Sequence, residues 1–341
     1  MNRLPEIRVL ATGGTIAGVA DPEAAVRYSA AALNADALIT AVPGLDRLAH
    51  IQTEQIASVG SQNMSHAIWL ALAARVSAMM TSDKVDGVVI THGTDTLEET
   101  AYFLSLVLGR EKPVVLVGAM RPADALSADG PGNLARAVAL AGDPRAAAYG
   151  PLVVMNDTIH RARDLQKMAA SGIVAFASPN GGPAGAMHGV RAHFFSQPPA
   201  DLHSAESDAD PLYPAFPIHD AVTAEQLPAV AIVYAHVGMS ANMIDAMAAT
   251  HVGLVLAGVG EGNASDPAWT ALRRAADRGV AVVRSSRCGS GAVIAQGEID
   301  DRGWGTIAAN DLNPQKARVL LMLALHVGAK VPALQNIFDR Y

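Results

Sequence analysis

Residues 85–99 read V-D-G-V-V-I-T-H-G-T-D-T-L-E-E. An apolar, β-branched run ends at Thr91, a glycine-bracketed polar loop follows, and a helix signature begins at Thr96. Thr96 with Glu99 three residues on has the spacing of a capping box, which would start a helix directly after the loop. A strand over Val85–Thr91 that feeds a loop and then a helix is half of a parallel crossover unit. The same order recurs outward from this stretch. Strands are expected at Ile7–Ala11, Pro113–Ala119, Leu152–Met155 and Ile173–Ala177, because each is short, apolar and rich in β-branched residues. Between them, Gln62–Met80 places Trp69, Leu72, Val76, Met79 and Met80 on one helical face. This alternation predicts an α/β fold with a parallel-type sheet flanked by helices.

The sequence has 341 residues, more than one hydrophobic core usually organises, so two domains are expected. The pattern breaks over Ser196–Pro228, with prolines at 198, 199, 211, 214, 217 and 228 around a polar stretch, Ser204–Asp210. This divides the chain into a larger N-terminal domain over 1–195, a linker over 196–228, and a smaller α/β domain over 229–341. In the last, strands are expected at Ala229–Tyr234, Gly253–Ala257 and Val280–Arg284. Helices are expected at Ala241–Ala249, Ala268–Asp277 and from Pro314. Half the residues are hydrophobic but only 4% are aromatic, which suits sheets packed with Val, Ile, Leu and Ala.

The formal net charge is −7, and no basic stripe interleaved with aromatics is present, so there is no electrostatic footprint for nucleic acid. No apolar run approaches the ~20 residues of a membrane span. The N-terminal residues lack the form of a secretory signal, which points to the cytoplasm, or to the periplasm if Met1 is not the natural start. Cys288 is the single cysteine and reads as a free, buried thiol; it allows neither an intrachain disulfide nor a cysteine metal site. The histidines have no metal-ligand spacing, so neither a metal nor an organic cofactor is expected.

Two loops carry the chemistry. In A-T-G-G-T-I-A-G at 11–18, Gly13 and Gly14 let the chain turn sharply after the strand and leave the Thr15 hydroxyl at the cleft floor. There is no G-x-G-x-x-G and no Walker lysine, which sets a nucleotide loop aside. Gly258, Gly260 and Gly262 have the wrong spacing for one and read as a structural turn. In T-H-G-T-D-T at 91–96, Thr94 offers a hydroxyl. Asp95 offers a carboxylate that a helix N-terminus keeps ionised, suited to gripping an ammonium group or simply to capping the helix. His92 reads as a loop-ordering hydrogen-bonder. In open sheets of this type ligands bind beyond the carboxyl ends of the strands, which is where both loops fall. A threonine hydroxyl needs an adjacent base, and a lysine can serve where burial lowers its pKa.

A-T-G-G-T-I-A-G, G-S-Q-N-M at 60–64, the stretch 90–104, V-G-A-M-R-P at 117–122, S-A-D-G-P-G-N-L at 127–134, V-V-M-N-D-T at 153–158, A-V-V-R-S-S-R at 281–287 and L-N-P-Q-K-A-R-V-L-L at 312–321 together resemble the bacterial type II L-asparaginases. The resemblance runs from about Ile7 to Tyr341. It implies hydrolysis of the side-chain amide of L-asparagine to L-aspartate and ammonia, with no cofactor. It also implies Thr15 as nucleophile with Tyr28 on a lid segment beside it, Thr94, Lys167 and Asp95 as a second catalytic cluster, and Ser61, Gln62 and Asp95 holding the substrate's α-carboxylate and α-amino groups. A glutamate from a paired subunit completes each site in that family, here Glu298, within a homotetramer of two intimate dimers. Some relatives place an asparagine beside that glutamate; the position aligned with it is Gly238, with Ser240 nearby, so a side-chain amide is not expected there. Two alternatives stand beside this reading, a glutaminase-asparaginase accepting both amides and a non-catalytic amino-acid sensor.

Overall fold

The computed structural model describes residues 3–20, 28–29, 32–198, 215–218 and 222–341, with only the backbone at 20, 28 and 29. It forms two compact units, Met1–Val222 and Thr223–Tyr341. Most of the expected linker, 199–214 and 219–221, lies outside the described residues. Among the described residues no helix is long and apolar enough to cross a membrane.

The first unit is built on an eight-stranded sheet. Its order is Arg191–Phe194, Gly185–His188, Thr158–Arg161, Leu152–Met155, Val114–Val117, Gly87–Thr91, Glu6–Gly13, His50–Val59. The pairs from His50–Val59 to Leu152–Met155 are parallel. Gly87–Thr91 and Val114–Val117 are buried at every position, as strands covered on both faces must be. Beyond Leu152–Met155 the sheet continues antiparallel. Asn156 and Asp157 take φ values of 47° and 64°, the two-residue turn that reverses a hairpin, so no crossover is possible there. The expected strand at Ile173–Ala177 shrinks to Phe176–Ala177, which pairs with Gln166–Lys167 in a separate two-stranded ladder.

Local chemistry sets the helix that follows the His50–Val59 strand. It spans His66–Met80 rather than starting at Gln62, because the Ser65 hydroxyl accepts the Ile68 amide at 3.3 Å as N-cap. That leaves Ser61–Asn63 as a 3₁₀ turn. Thr96 takes the N-cap position of the helix Leu97–Val107 but makes no side-chain cap bond. Its hydroxyl instead donates to the Ser61 carbonyl at 2.9 Å, so the expected capping box is replaced by a tie between two loops.

A buried polar chain joins these helices to the end of the strand Gly87–Thr91. Trp69 Nε1 donates to Thr100 Oγ1 at 2.8 Å, Thr100 Oγ1 lies 2.9 Å from His92 Nε2, and His92 Nδ1 lies 2.6 Å from the Gly93 carbonyl. The carbonyl can only accept, so Nδ1 carries the proton and Nε2 accepts from Thr100. Burial pushes the His92 pKa down to about 4, against the opposing pull of the Gly93 carbonyl.

The second unit has a four-stranded parallel sheet, Val230–Tyr234, Gly253–Gly258, Ala281–Ser286, Thr306–Ala308. The helices Ala241–Ala248 and Asp266–Asp277 contribute Ile244, Ala248, Trp269 and Leu272 to its core. Arg284, fully buried on the strand Ala281–Ser286, grips Asp301 through Nε–Oδ1 at 2.6 Å and Nη2–Oδ2 at 2.8 Å. The guanidinium also donates to the carbonyls of Glu261 at 2.9 Å and Ile294 at 3.3 Å. Asp301 further accepts the Thr306 hydroxyl at 2.6 Å and the Gln296 amide at 3.0 Å. Burial works to raise the Asp301 pKa; hydrogen bonds from Arg284, Thr306 and Gln296 outweigh it and hold the carboxyl below its ordinary value. One charge therefore orders three stretches of loop.

Arg284→Ala is expected to destabilise the second unit by about 3–5 kcal/mol, because it strands a buried carboxylate. Denaturant unfolding followed by tryptophan fluorescence, in which Trp269 and Trp304 report the second unit and Trp69 the first, measures this, and a loss under about 1 kcal/mol contradicts it. His92 makes the first unit acid-sensitive. Below pH 6.5 the unfolded histidine takes up a proton that the folded one refuses until about pH 4, so folding stability falls as pH drops through that window. Between pH 7 and 4.5, His92→Gln should therefore lose about 2–3 kcal/mol less stability than the parent. Parallel acid slopes for the two proteins would remove His92 from the acid response.

Candidate active site

The two threonine loops meet through glycine. Gly13 and Gly14 leave the first strand with φ of 102° and 82°, the left-handed region that favours glycine. A Cβ on Gly14 would lie 2.3 Å from Gly93 Cα and 2.4 Å from Gly93 N, so the contact is backbone against backbone. Two further bonds hold it: the Gly14 amide donates to the Val59 carbonyl at 2.9 Å, and the Thr12 hydroxyl to the Thr91 carbonyl at 2.9 Å. Thr15 then opens a 3₁₀ turn, Thr15–Ala17, closed by the Gly18 amide on the Thr15 carbonyl at 2.9 Å.

The Ser61–Asn63 turn forms a third wall. Ser61 Oγ accepts the Asp95 amide at 3.0 Å. Gln62 folds its side chain over Gly60, where a Cβ would lie 2.5 Å from Gln62 Oε1. Gly14, Thr15, Gly60, Ser61, Gln62, Gly93 and Asp95 line one cavity of about 250 Å³, the scale of a small amino acid. Four of the residues singled out from the sequence, Thr15, Ser61, Gln62 and Asp95, thus share it.

Thr94 and Lys167, which do not line this cavity, meet beside it. Lys167 sits in the two-stranded ladder opposite Phe176, and its Nζ lies 2.9 Å from Thr94 Oγ1 and 2.6 Å from Asp95 Oδ1. The Lys167 side chain is 15% exposed and that of Asp95 59%, so solvent screens the pair and its contribution is to position rather than to stability. The Lys167 amide donates to Glu98 Oε2 at 3.3 Å, and Asp95, Glu98, Lys167 and Met168 line a second, more open cavity of about 330 Å³ with Ala169 and Ala170. A hydroxyl, an amine and a carboxylate in contact can pass a proton along that line. His92 is held away from such work by its buried hydrogen bonds.

Tyr28 pairs its backbone with Ala20 in a short ladder, and its side chain lies outside the described residues. Glu298 belongs to the second unit, where its Oε1 accepts from Asn263 Nδ2 at 2.9 Å. Asn263 Oδ1 in turn accepts Trp269 Nε1 at 3.0 Å and the Ala264 amide at 2.8 Å. A side-chain amide, that of Asn263, thus stands beside Glu298 from within the same unit, at a position other than Gly238. Gly238 occupies an open turn at φ 72°, and the Ser240 hydroxyl is engaged as the N-cap of Ala241–Ala248. Asn263 ends the stretch G-V-G-E-G-N at 258–263, whose glycines read as a turn. That turn is real, closed by Val259 and Asn263, and it is what aims the asparagine. Cys288 is exposed, not buried as its type suggested, because it lies in the loop after the strand Ala281–Ser286. Among the described residues no group of three or more His, Cys, Asp or Glu is placed to hold a metal ion.

Comparison with known proteins adds sequence-wide similarity to this geometry. Residues 6–200 match the asparaginase N-terminal domain, and residues 229–338 match the glutaminase/asparaginase C-terminal domain. The chain is 43% identical over 339 residues to L-asparaginase 2 of Escherichia coli (strain K12), covering 99% of this chain and 94% of that one. It is 42% identical to the probable periplasmic L-asparaginase of Haemophilus influenzae, covering 99% and 93%. It is 40% identical to the glutaminase-asparaginase of Pseudomonas fluorescens biotype A, covering 99% and 91%. With both domains matched in order and the threonine loops joined at one cavity, the chain belongs to the asparaginase family.

Proposed function

We propose that this protein is an L-asparaginase, hydrolysing the side-chain amide of L-asparagine to L-aspartate and ammonia. The observation that carries the proposal is the Thr94–Lys167–Asp95 contact set directly beside the cavity that Thr15 lines. In this mechanism Ser61, Gln62 and Asp95 hold the α-carboxylate and α-amino groups, and Thr15 attacks the amide carbon. The carbon–nitrogen bond breaks as the nitrogen takes up a proton and leaves as ammonia. Water then cleaves the acyl ester on Thr15, releasing aspartate and restoring the hydroxyl. Backbone amides of the two loops stabilise the oxyanion of each tetrahedral intermediate, a contribution of about 3–4 kcal/mol per donor. Lys167 and Thr94 relay the proton, with Tyr28 closing over Thr15. No metal or organic cofactor takes part.

Glu298 completes the site from a paired subunit by binding the substrate ammonium, within a homotetramer of two intimate dimers. Asn263 keeps that carboxylate oriented. Asp95 then has two tasks, the Lys167 amine on one oxygen and the substrate ammonium on the other, which its exposed position permits.

A broader glutaminase-asparaginase activity is the second reading, supported by the relatives that carry that name. One methylene changes binding by only about 1–3 kcal/mol, so the two activities lie close in energy. A non-catalytic sensor has no use for the Thr94–Lys167 contact.

Thr15→Ala and Thr94→Ala should each lower kcat by about 10³-fold or more with the fold intact, measured by ammonia release and circular dichroism. Activity above about one-tenth of the parent in either variant takes that threonine out of the mechanism. Steady-state kinetics on both amides test selectivity: the expected result is a higher kcat/KM for asparagine, and equal values replace the first reading with the second.

A further inference from the structure

Three stretches of the family-like sequence, 117–122, 127–134 and 153–158, supply no lining residue to either cavity. They converge on Gly118. The Gly118 amide donates to the Met155 thioether at 3.3 Å, and its carbonyl accepts from Asn133 Nδ2 at 3.1 Å. Asn133 is buried, 2% exposed, and its Oδ1 accepts the Asn156 amide at 3.1 Å. Just beyond, the Asp129 carboxylate accepts the amides of Met120 at 3.0 Å and Arg121 at 2.9 Å. Both backbone polar groups of Gly118 are thus anchored, and the chain after it is clamped.

The α-carbon so fixed faces the second threonine. A Cβ on Gly118 would lie 3.1 Å from Thr94 Cγ2 and 2.8 Å from the His92 carbonyl oxygen. The bare α-carbon therefore leaves the space that the Thr94 methyl needs, with no room for a side chain between them. On a β-branched side chain the three substituents of Cβ move together, so seating the methyl selects the rotamer and with it the direction of the hydroxyl. In that rotamer Thr94 Oγ1 lies 2.9 Å from Lys167 Nζ.

We propose that Gly118, anchored by Asn133 and Met155, is a positioning residue that seats the Thr94 methyl and thereby holds the Thr94 hydroxyl on Lys167. The proposal rests on the reading that Thr94 and Lys167 act together in amide hydrolysis. Gly118 touches no reacting atom; it acts through Thr94, and the methyl is the transmitting group. Its effect belongs to turnover rather than to substrate binding, because Ser61, Gln62 and Asp95 hold the substrate from other elements.

The test is a set of variants assayed on L-asparagine. Gly118→Ala should lower kcat by about 10–100-fold while KM stays within about twofold, since a displaced hydroxyl costs rate and not affinity. Thr94→Ser keeps the hydroxyl and removes the methyl, and should lower kcat about threefold to tenfold by freeing the rotamer. In the Thr94→Ser background, Gly118→Ala should cost less than about half as much, as a logarithm, as it does in the parent, because the group it pushes is gone. Equal factors in both backgrounds, or an unchanged kcat for Gly118→Ala, overturn the proposal. If Gly118→Ala does not fold because of the His92 carbonyl, Thr94→Ser alone decides: parental kcat overturns the proposal, and a reduced kcat at constant KM supports it. Thr94→Ala separates the two levels. Parental activity there defeats the mechanism itself, whereas an inactive Thr94→Ala with additive Gly118 and Ser effects defeats only the positioning role.

Discussion

Two loops from different strands can present their hydroxyls to one small cavity only if their backbones approach to within contact, and Gly14 against Gly93 is where this happens. Side chains at either position would separate the loops by the width of a methyl group or more. Gly93 is confined on its other side as well, since a Cβ there would lie 2.7 Å from Ser61 Oγ. Three elements, the first loop, the second loop and the Ser61–Asn63 turn, are therefore pressed together around a pair of glycines. The hydrogen bonds from Gly14 to Val59, Asp95 to Ser61 and Thr96 to Ser61 follow from that approach. Thr15, Ser61, Gln62 and Asp95 share a cavity because the glycines touch.

Around this contact, buried polar groups hold the loops in shape. The His92 ring is neutral and closed into a chain from Trp69 to the Gly93 carbonyl, so a conspicuous histidine serves the loop's conformation. The second unit uses the same device with charges. Arg284 and Asp301, unexposed and bidentate, tie down the segment that carries Glu298, and Asn263 then sets the carboxylate of that residue. Desolvating two charges is costly, and such a pair is better understood as specifying one loop arrangement than as adding net stability.

How much was legible depended on how local the cause was. Leu152–Met155 is bounded by its own turn residues, and the helix ending at Met80 by its own apolar face, so both emerge from pattern alone. The strand His50–Val59 did not, because it lies at the sheet edge, half exposed, and has no continuous apolar run. Thr96 with Glu99 had a capping box's spacing, yet the Ser61 carbonyl, 35 positions away, took the hydroxyl. Asn263 went unread because its partner Glu298 is equally remote in sequence.

By itself the sequence determined the α/β alternation, the two glycine-threonine loops at strand ends, and the family to which they point, since these rest on periodicity, on glycine's left-handed backbone freedom and on residue identity in order. Only the tertiary structure decided which side chains meet. Lys167 is an ordinary charged residue in sequence, and it becomes a partner of Thr94 and Asp95 because the short ladder with Phe176 carries it back across more than 70 positions. Gly118 likewise has no local reason to be glycine; its reason is the Thr94 methyl and the His92 carbonyl, which occupy the space a Cβ there would need. Contacts of this kind depend on distances between elements, and no local periodicity encodes them.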